Sequence, residues 1–217
     1  MDRQEILRRT EEYARSAHAD DATGHDWWHI ARVRNLAQRL GREEGADLFV
    51  VDLAALLHDI ADWKFRDGDL EAAPRAAAVW LRDQGVDPEV TDRVCEIIGT
   101  LSFKGAGIPT PMSTIEGKVV QDADRLDAIG AIGIARAFAY GGARGRPMHD
   151  PEEVPHQDAD FETYARSTGA TVNHFHEKLF LLKERMNTES ARRLAAGRHS
   201  YMKSYLDRFL NEWEGES

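Results

Sequence analysis

What this 217-residue chain lacks narrows it first. It has one cysteine, Cys95, so no internal disulfide can form and a reducing compartment is the default. No window holds eighteen consecutive apolar residues, which argues against a helical membrane span. The opening stretch MDRQEILRRTEEYARSAHA is charged throughout and lacks the apolar core of a secretory leader. These absences lead to the expectation of a cytoplasmic protein with no membrane contact. A basic excess is missing too: 28 Lys and Arg stand against 38 Asp and Glu, a formal net charge of -10. That field disfavours stable nucleic-acid binding. It leaves room for a small phosphorylated ligand held by a few local cations and a metal ion. Strand-like alternation, internal repeats and low-complexity segments are also absent.

What is present is helical periodicity. With 42% hydrophobic and 30% charged residues, the chain can bury a sizeable core under a solvated surface. Residues 3–18 carry Ile6, Tyr13 and Ala14 among charges, as an amphipathic surface helix does. Residues 26–44 place Ile30, Val33, Leu36, Ala37 and Leu40 at helical spacing. Residues 47–60 are apolar nearly all round and predict a central helix. Further helices are expected at 71–84 and 88–101. A capping box of Ser113 and Glu116 would open one long helix over 114–140. Two more are expected at about 158–186 and 188–213. The Gly- and Pro-rich stretch near 141–157 predicts a long irregular loop and a candidate lid. The fold class expected is all-α, a single-domain helical bundle over 1–217.

One stretch does not fit a simple core helix. In VVDLAALLHDIADWKF an apolar run ends on His58 and Asp59. Burying such groups is unfavourable unless something compensates them, and a divalent cation does so. GHDWWHIARV offers His25 and His29, one turn apart, and VVQDADRLDAIGAIGIA offers Asp122, Asp124 and Asp127. Each places a polar group where the pattern predicts core. Read alone, His58 and Asp59 also fit a helix C-terminus, where imidazole complements the dipole. Asp122 and Asp127 are alternatives to Asp124, or partners for Arg125 and Arg136.

HDWWHIARV, LLHDIADWKF, DADRLDAIGAIGIARAF and NHFHEKLFLLKERMNTESAR, in this order, resemble the HD-domain metal-dependent phosphohydrolase superfamily. The likeness spans about residues 20–215 and is to the bacterial nucleotide-pyrophosphohydrolase-like branch. It implies an HD core at about 20–140, with helices at about 158–213 completing the same domain. It also implies four metal ligands: His29, His58, Asp59 and Asp124. Mixed imidazole and carboxylate ligation suits Mn²⁺ first, with Fe²⁺, Co²⁺, Ni²⁺ or Mg²⁺ as alternatives. Family members with two or three metals carry extra histidines between the HD pair and the last aspartate. This chain has none from Ile60 to Ala123, so one metal is expected.

The resemblance further implies that Asp62 orients or deprotonates the attacking water. Arg32, Lys64 and Arg125, each near a ligand in sequence, are candidate phosphate clamps. His25, Lys104, Asn173, His174 and Lys178 are further substrate-binding candidates. Trp27, Trp28 and Trp63 read as pocket wall and core rather than as base-stacking platforms. His149 and His156 read as solvated, and His176 and His199 as helix-surface residues. The reaction implied is attack of metal-activated water on a phosphoanhydride of a nucleoside or deoxynucleoside triphosphate, giving monophosphate and pyrophosphate. The alternatives are a 5′-nucleotidase acting on monophosphates and a non-catalytic nucleotide or metal sensor. The partner expected is a small-molecule nucleotide, and a homodimer is compatible with this reading.

Overall fold

The computed structural model describes residues 2–18, 26–61, 69, 71–101, 108–156 and 169–216. Every regular element among them is helical, as the periodicity predicts, and the fold is all-α. Two compact units are formed: Met1–Phe103 with Thr110–Asp124, and Lys104–Pro109 with Arg125–Ser217.

The first unit contains α1 (Arg3–Ala17), α2 (Trp27–Glu44), α3 (Leu48–Leu57), α4 (Ala72–Asp83), α5 (Pro88–Leu101) and the part of α6 (Ile115–Asp127) up to Asp124. The centre is α3, whose residues Phe49 to Leu57 are all buried and which packs against α1, α2 and α5. Each buried Val or Leu there contributes roughly 1.5–3 kcal/mol. Asp47 starts α3 by accepting the Phe49 N–H at 3.0 Å. α2 ends on Gly45, whose φ of 72° favours glycine. The one acid inside α3, Asp52, faces α2: its Oδ1 accepts from Arg34 Nε at 3.0 Å and Gln38 Nε2 at 2.7 Å. Glu11 on α1 accepts a second bond from the same guanidinium, at 2.7 Å. Burial alone would lower the Arg34 guanidinium, but the two carboxylates outweigh it and hold it above its usual value.

The second unit contains the last turn of α6, then α7 (Gly130–Ala143), α8 (Asn173–Glu177), a 3-10 segment (Leu179–Arg185) and α9 (Glu189–Trp213). α9 packs along α7 and the 3-10 segment. Phe175, fully buried, lies between Phe138 and Tyr205, with ring centroids 6.2 and 6.3 Å away.

Three expectations need correcting. The helix predicted over 114–140 is two helices, because Gly130 adopts a φ of 80° and a Cβ there would lie 3.0 Å from Arg198 Cγ. The Ser113–Glu116 capping box does not form. Thr114 Oγ1 caps α6 by accepting the Gly117 N–H at 3.1 Å, and Ser113 donates instead to Glu96 at 2.7 Å. The described part of the helix predicted over 158–186 is α8 followed by the 3-10 segment.

The expected loop is irregular from 144 to 156 but well tied. The N–H groups of Thr171 and Val172 donate to the Pro147 and Met148 carbonyls at 2.9 Å. The Glu177 carboxylate accepts the His156 N–H at 3.0 Å.

Candidate metal centre

Local signals bring the site together. Asp26 caps α2 by accepting the His29 N–H at 3.0 Å, which places His29 in the first turn with its ring directed inward. His58 follows the last residue of α3, where the apolar helix gives way to a turn. Its Nδ1 donates to the Ala55 carbonyl at 2.8 Å. A carbonyl only accepts, so that nitrogen carries the proton, and in a neutral ring Nε2 presents a lone pair.

That lone pair points at His29. The two Nε2 atoms are 3.3 Å apart. His29 Nε2 is also 3.4 Å from Asp59 Oδ2 and 3.6 Å from Asp124 Oδ1, and His58 Nε2 is 3.6 Å from Asp59 Oδ2. His29, His58 and Asp59 each offer a ligand atom, all within 4.8 Å of one another. Neighbouring ligands with bonds of about 2.1 Å sit roughly 3–3.5 Å apart, so these spacings fit one divalent ion. These two imidazoles and one carboxylate, with Asp124 beside His29, make a mixed nitrogen and oxygen set suited to the borderline and hard divalent metals. Both imidazoles are 1% exposed, whereas the carboxylates of Asp59 and Asp124 are 19% and 30% exposed. The open side of the cluster is therefore its carboxylate side.

Asp127 pairs with Arg136 at 2.9 Å, and Asp122 is fully buried. Arg32 sits half-buried on α2, one turn beyond His29. Arg125, Asn173, His174 and Lys178 belong to the second unit. Arg125 is buried and donates to the Arg185 carbonyl. Asn173 is 4% exposed, and its side-chain Nδ2 has no hydrogen-bond partner among the described residues. His174 and Lys178 are half-buried. Asp62, Lys64, His25 and Lys104 lie outside the described residues.

His18 was not singled out by its sequence. It ends α1 with Nδ1 2.8 Å from the Ala14 carbonyl and Nε2 3.2 Å from the Asp59 carbonyl. The ring links α1 to the turn that carries the HD pair. Only its position after an amphipathic helix marked it, and that signal is shared with many surface residues. His176 and His199 are half-buried, not surface residues: both flank the Phe180 ring, and desolvation lowers each imidazole. Trp28, read as pocket wall or core, is 61% exposed.

No helix among the described residues is long and apolar enough to cross a membrane. The family model for the HD domain matches residues 27–129, the span that holds His29, His58, Asp59 and Asp124. YpgQ of Bacillus subtilis (strain 168) is 43% identical over 200 residues, covering 89% of this chain and 87% of that protein. A crystal structure of a Lactobacillus plantarum protein superposes with a TM-score of 0.87 at 39% identity, over 99% of this chain and 100% of the other. An HD-superfamily hydrolase from Bacillus thuringiensis gives 0.75 at 41% identity, over 98% and 99%. The crystal structure of B. subtilis YpgQ in complex with ADP gives 0.74 at 36% identity, over 97% and 100%. With a helical scaffold shared along nearly its whole length, the chain belongs to the HD-domain superfamily of metal-dependent phosphohydrolases.

Proposed function

We propose that this protein hydrolyses a phosphoanhydride bond of nucleoside or deoxynucleoside triphosphates, releasing a monophosphate and pyrophosphate, as a member of the nucleotide-pyrophosphohydrolase-like branch. The observation that carries the reading is the cluster of His29, His58 and Asp59, open at its carboxylate side, with the Asp124 carboxylate 3.6 Å from His29 beside it. The ADP complex of the similar YpgQ supports a nucleotide as the ligand.

His29, His58, Asp59 and Asp124 would hold a single divalent ion, with Mn²⁺ the first choice for this mixed donor set and Fe²⁺, Co²⁺, Ni²⁺ or Mg²⁺ the alternatives. When bound, such an ion supplies positive charge to phosphoryl oxygens and acidifies a water molecule. Asp62 accepts the proton as the water oxygen bonds to the α-phosphorus. The bond from that phosphorus to the bridging oxygen breaks, and pyrophosphate leaves with the electron pair. Arg32, Lys64 and Arg125 place positive charge along the phosphate chain. His25, Lys104, Asn173, His174 and Lys178 complete the ligand contacts. Asn173 has an observation behind it: a buried amide with unused donors suits a phosphate or sugar oxygen. The setting is the cytoplasm, with no nucleic-acid partner, and a homodimer is compatible with it.

The test is a panel of nucleoside triphosphates and monophosphates, assayed for phosphate and pyrophosphate with Mn²⁺ and with chelator. Pyrophosphate from triphosphates, only with metal, is the expected result. Orthophosphate from monophosphates alone would make the protein a 5′-nucleotidase. No release from any nucleotide, with metal shown bound by elemental analysis, would make it a sensor. A water-activating carboxylate at Asp62 argues against that last outcome, since a pure binder has no use for one.

A further inference from the structure

We infer that Trp28 is a stacking platform for the nucleobase, reached from the metal centre across Arg32; this rests on the nucleotide reading above. Side chains on a helix turn by about 100° per residue. The buried residues of α2 are His29, Ile30, Val33, Ala37, Leu40 and Gly41, which define its core face. On that wheel His29 stands at one edge of the face. Trp28 lies about 100° further toward solvent, and Arg32 falls between them, about 60° from His29 and about 40° from Trp28. Long helical side chains lean toward the N-terminus, so the guanidinium of Arg32 reaches back over the first turn, where both neighbours sit. A strip therefore runs from metal ligand to cation to indole, in the order of a nucleotide's phosphates, sugar and base.

The environment of Trp28 fits this use. Tryptophan is among the most buried residues on average, yet this indole is 61% exposed. Its neighbour Trp27 is anchored, with the Arg15 guanidinium 5.3 Å above its ring. Among the described residues, no ring or guanidinium lies against Trp28. An aromatic face left open beside a phosphate-binding centre accepts any base, because every base has a π-face. The contact adds affinity for a nucleotide without reading its base edge.

The experiment compares wild type, Trp28→Ala and Trp28→Phe, each loaded with Mn²⁺, on a nucleoside triphosphate and on inorganic tripolyphosphate. Losing a stacked base raises KM for the nucleotide by roughly 5- to 150-fold beyond any change on tripolyphosphate. Trp28→Phe retains most of the affinity, since a phenyl ring still stacks. Equal effects on both substrates, or none on the nucleotide, would overturn the platform while leaving the hydrolytic reading intact. Should wild type hydrolyse neither substrate, the hydrolytic reading fails alone. The platform is then decided by equilibrium binding of ADP against pyrophosphate, where Trp28→Ala must weaken ADP selectively; equal binding of ADP by variant and wild type rejects it.

Discussion

The Glu116 carboxylate accepts the backbone N–H of Asp47 at 3.0 Å, joining α6 to α3 where both helices begin. Asp124 lies eight residues along α6, about 12 Å further on, and His58 lies eleven residues beyond Asp47, about 16 Å on. At that far end Asp124 and His58 both meet the His29 ring. The two helices are thus tied at their starts by a carboxylate and brought together at their ligand-bearing ends around one imidazole.

Asp124 and Asp127 separate the metal site from its scaffold. Asp124→Ala removes one converging carboxylate and should weaken divalent-metal binding by at least the 10- to 100-fold seen when a mere supporting partner is lost. Asp127→Ala leaves the clustered residues in place but removes the carboxylate that Arg136 meets at 2.9 Å, costing about 1.5–3 kcal/mol of stability. Titration of the apo protein with Mn²⁺, alongside chemical denaturation, reads both. If Asp127→Ala abolishes metal binding and Asp124→Ala does not, the ligand assignment is wrong.

Asp62→Asn keeps the shape of the side chain and removes its basicity. Metal stoichiometry should stay at one per chain, while turnover falls by roughly 10²–10⁴-fold, the range for lost general-base help. Single-turnover rates at saturating nucleotide make the measurement. A variant as fast as wild type would exclude Asp62 from the mechanism.

Most of this architecture was legible because helical periodicity is a one-dimensional signal. α1, α2, α4 and α5 fall within one residue of their predicted spans, and α3 ends three residues early. His29, His58 and Asp59, which the structure brings together, stood out for a different reason, as polar residues where the pattern demanded core, while only the family resemblance set Asp124 apart from Asp122 and Asp127. What escaped depends on three-dimensional partners. The break at Gly130 needs Arg198, which is 68 positions away in the chain, and the 3-10 segment has a local geometry that helical spacing alone does not distinguish. Glu116 had the right residue type for a capping box, but its carboxylate meets Asp47 and Arg93 instead. The exposure of Trp28 was hidden because an indole beside a ligand reads as pocket wall.

Asn173 offers a test that distinguishes binding from packing. Its Nδ2 makes no hydrogen bond among the described residues, so Asn173→Ala removes some packing but no bond of that donor there. The melting temperature should stay close to that of wild type. KM for the nucleotide should rise about 10-fold or more, as expected for one hydrogen bond to a charged oxygen. A variant that melts much lower with unchanged KM would show the residue to be structural.

Glu116 makes the stability of the frame depend on pH. Burial alone would raise its carboxyl, but bonds from the Asp47 and Glu116 backbone N–H groups and from Arg93, 3.1 Å away, outweigh that and hold it below the usual range. A carboxyl depressed by folding contributes stability that is fully present above its unfolded value of about 4.3. The contribution is lost as pH falls through the lower folded value. Glu116→Gln should therefore destabilise the protein by about 1.5–3 kcal/mol at pH 7, with the gap to wild type closing below about pH 4. Urea denaturation of both proteins at several pH values gives the difference directly, since the other carboxyl groups titrate alike in each. A gap that stays constant into acid would mean that the Glu116 charge does not secure the joint, and that shape alone holds α6 against α3.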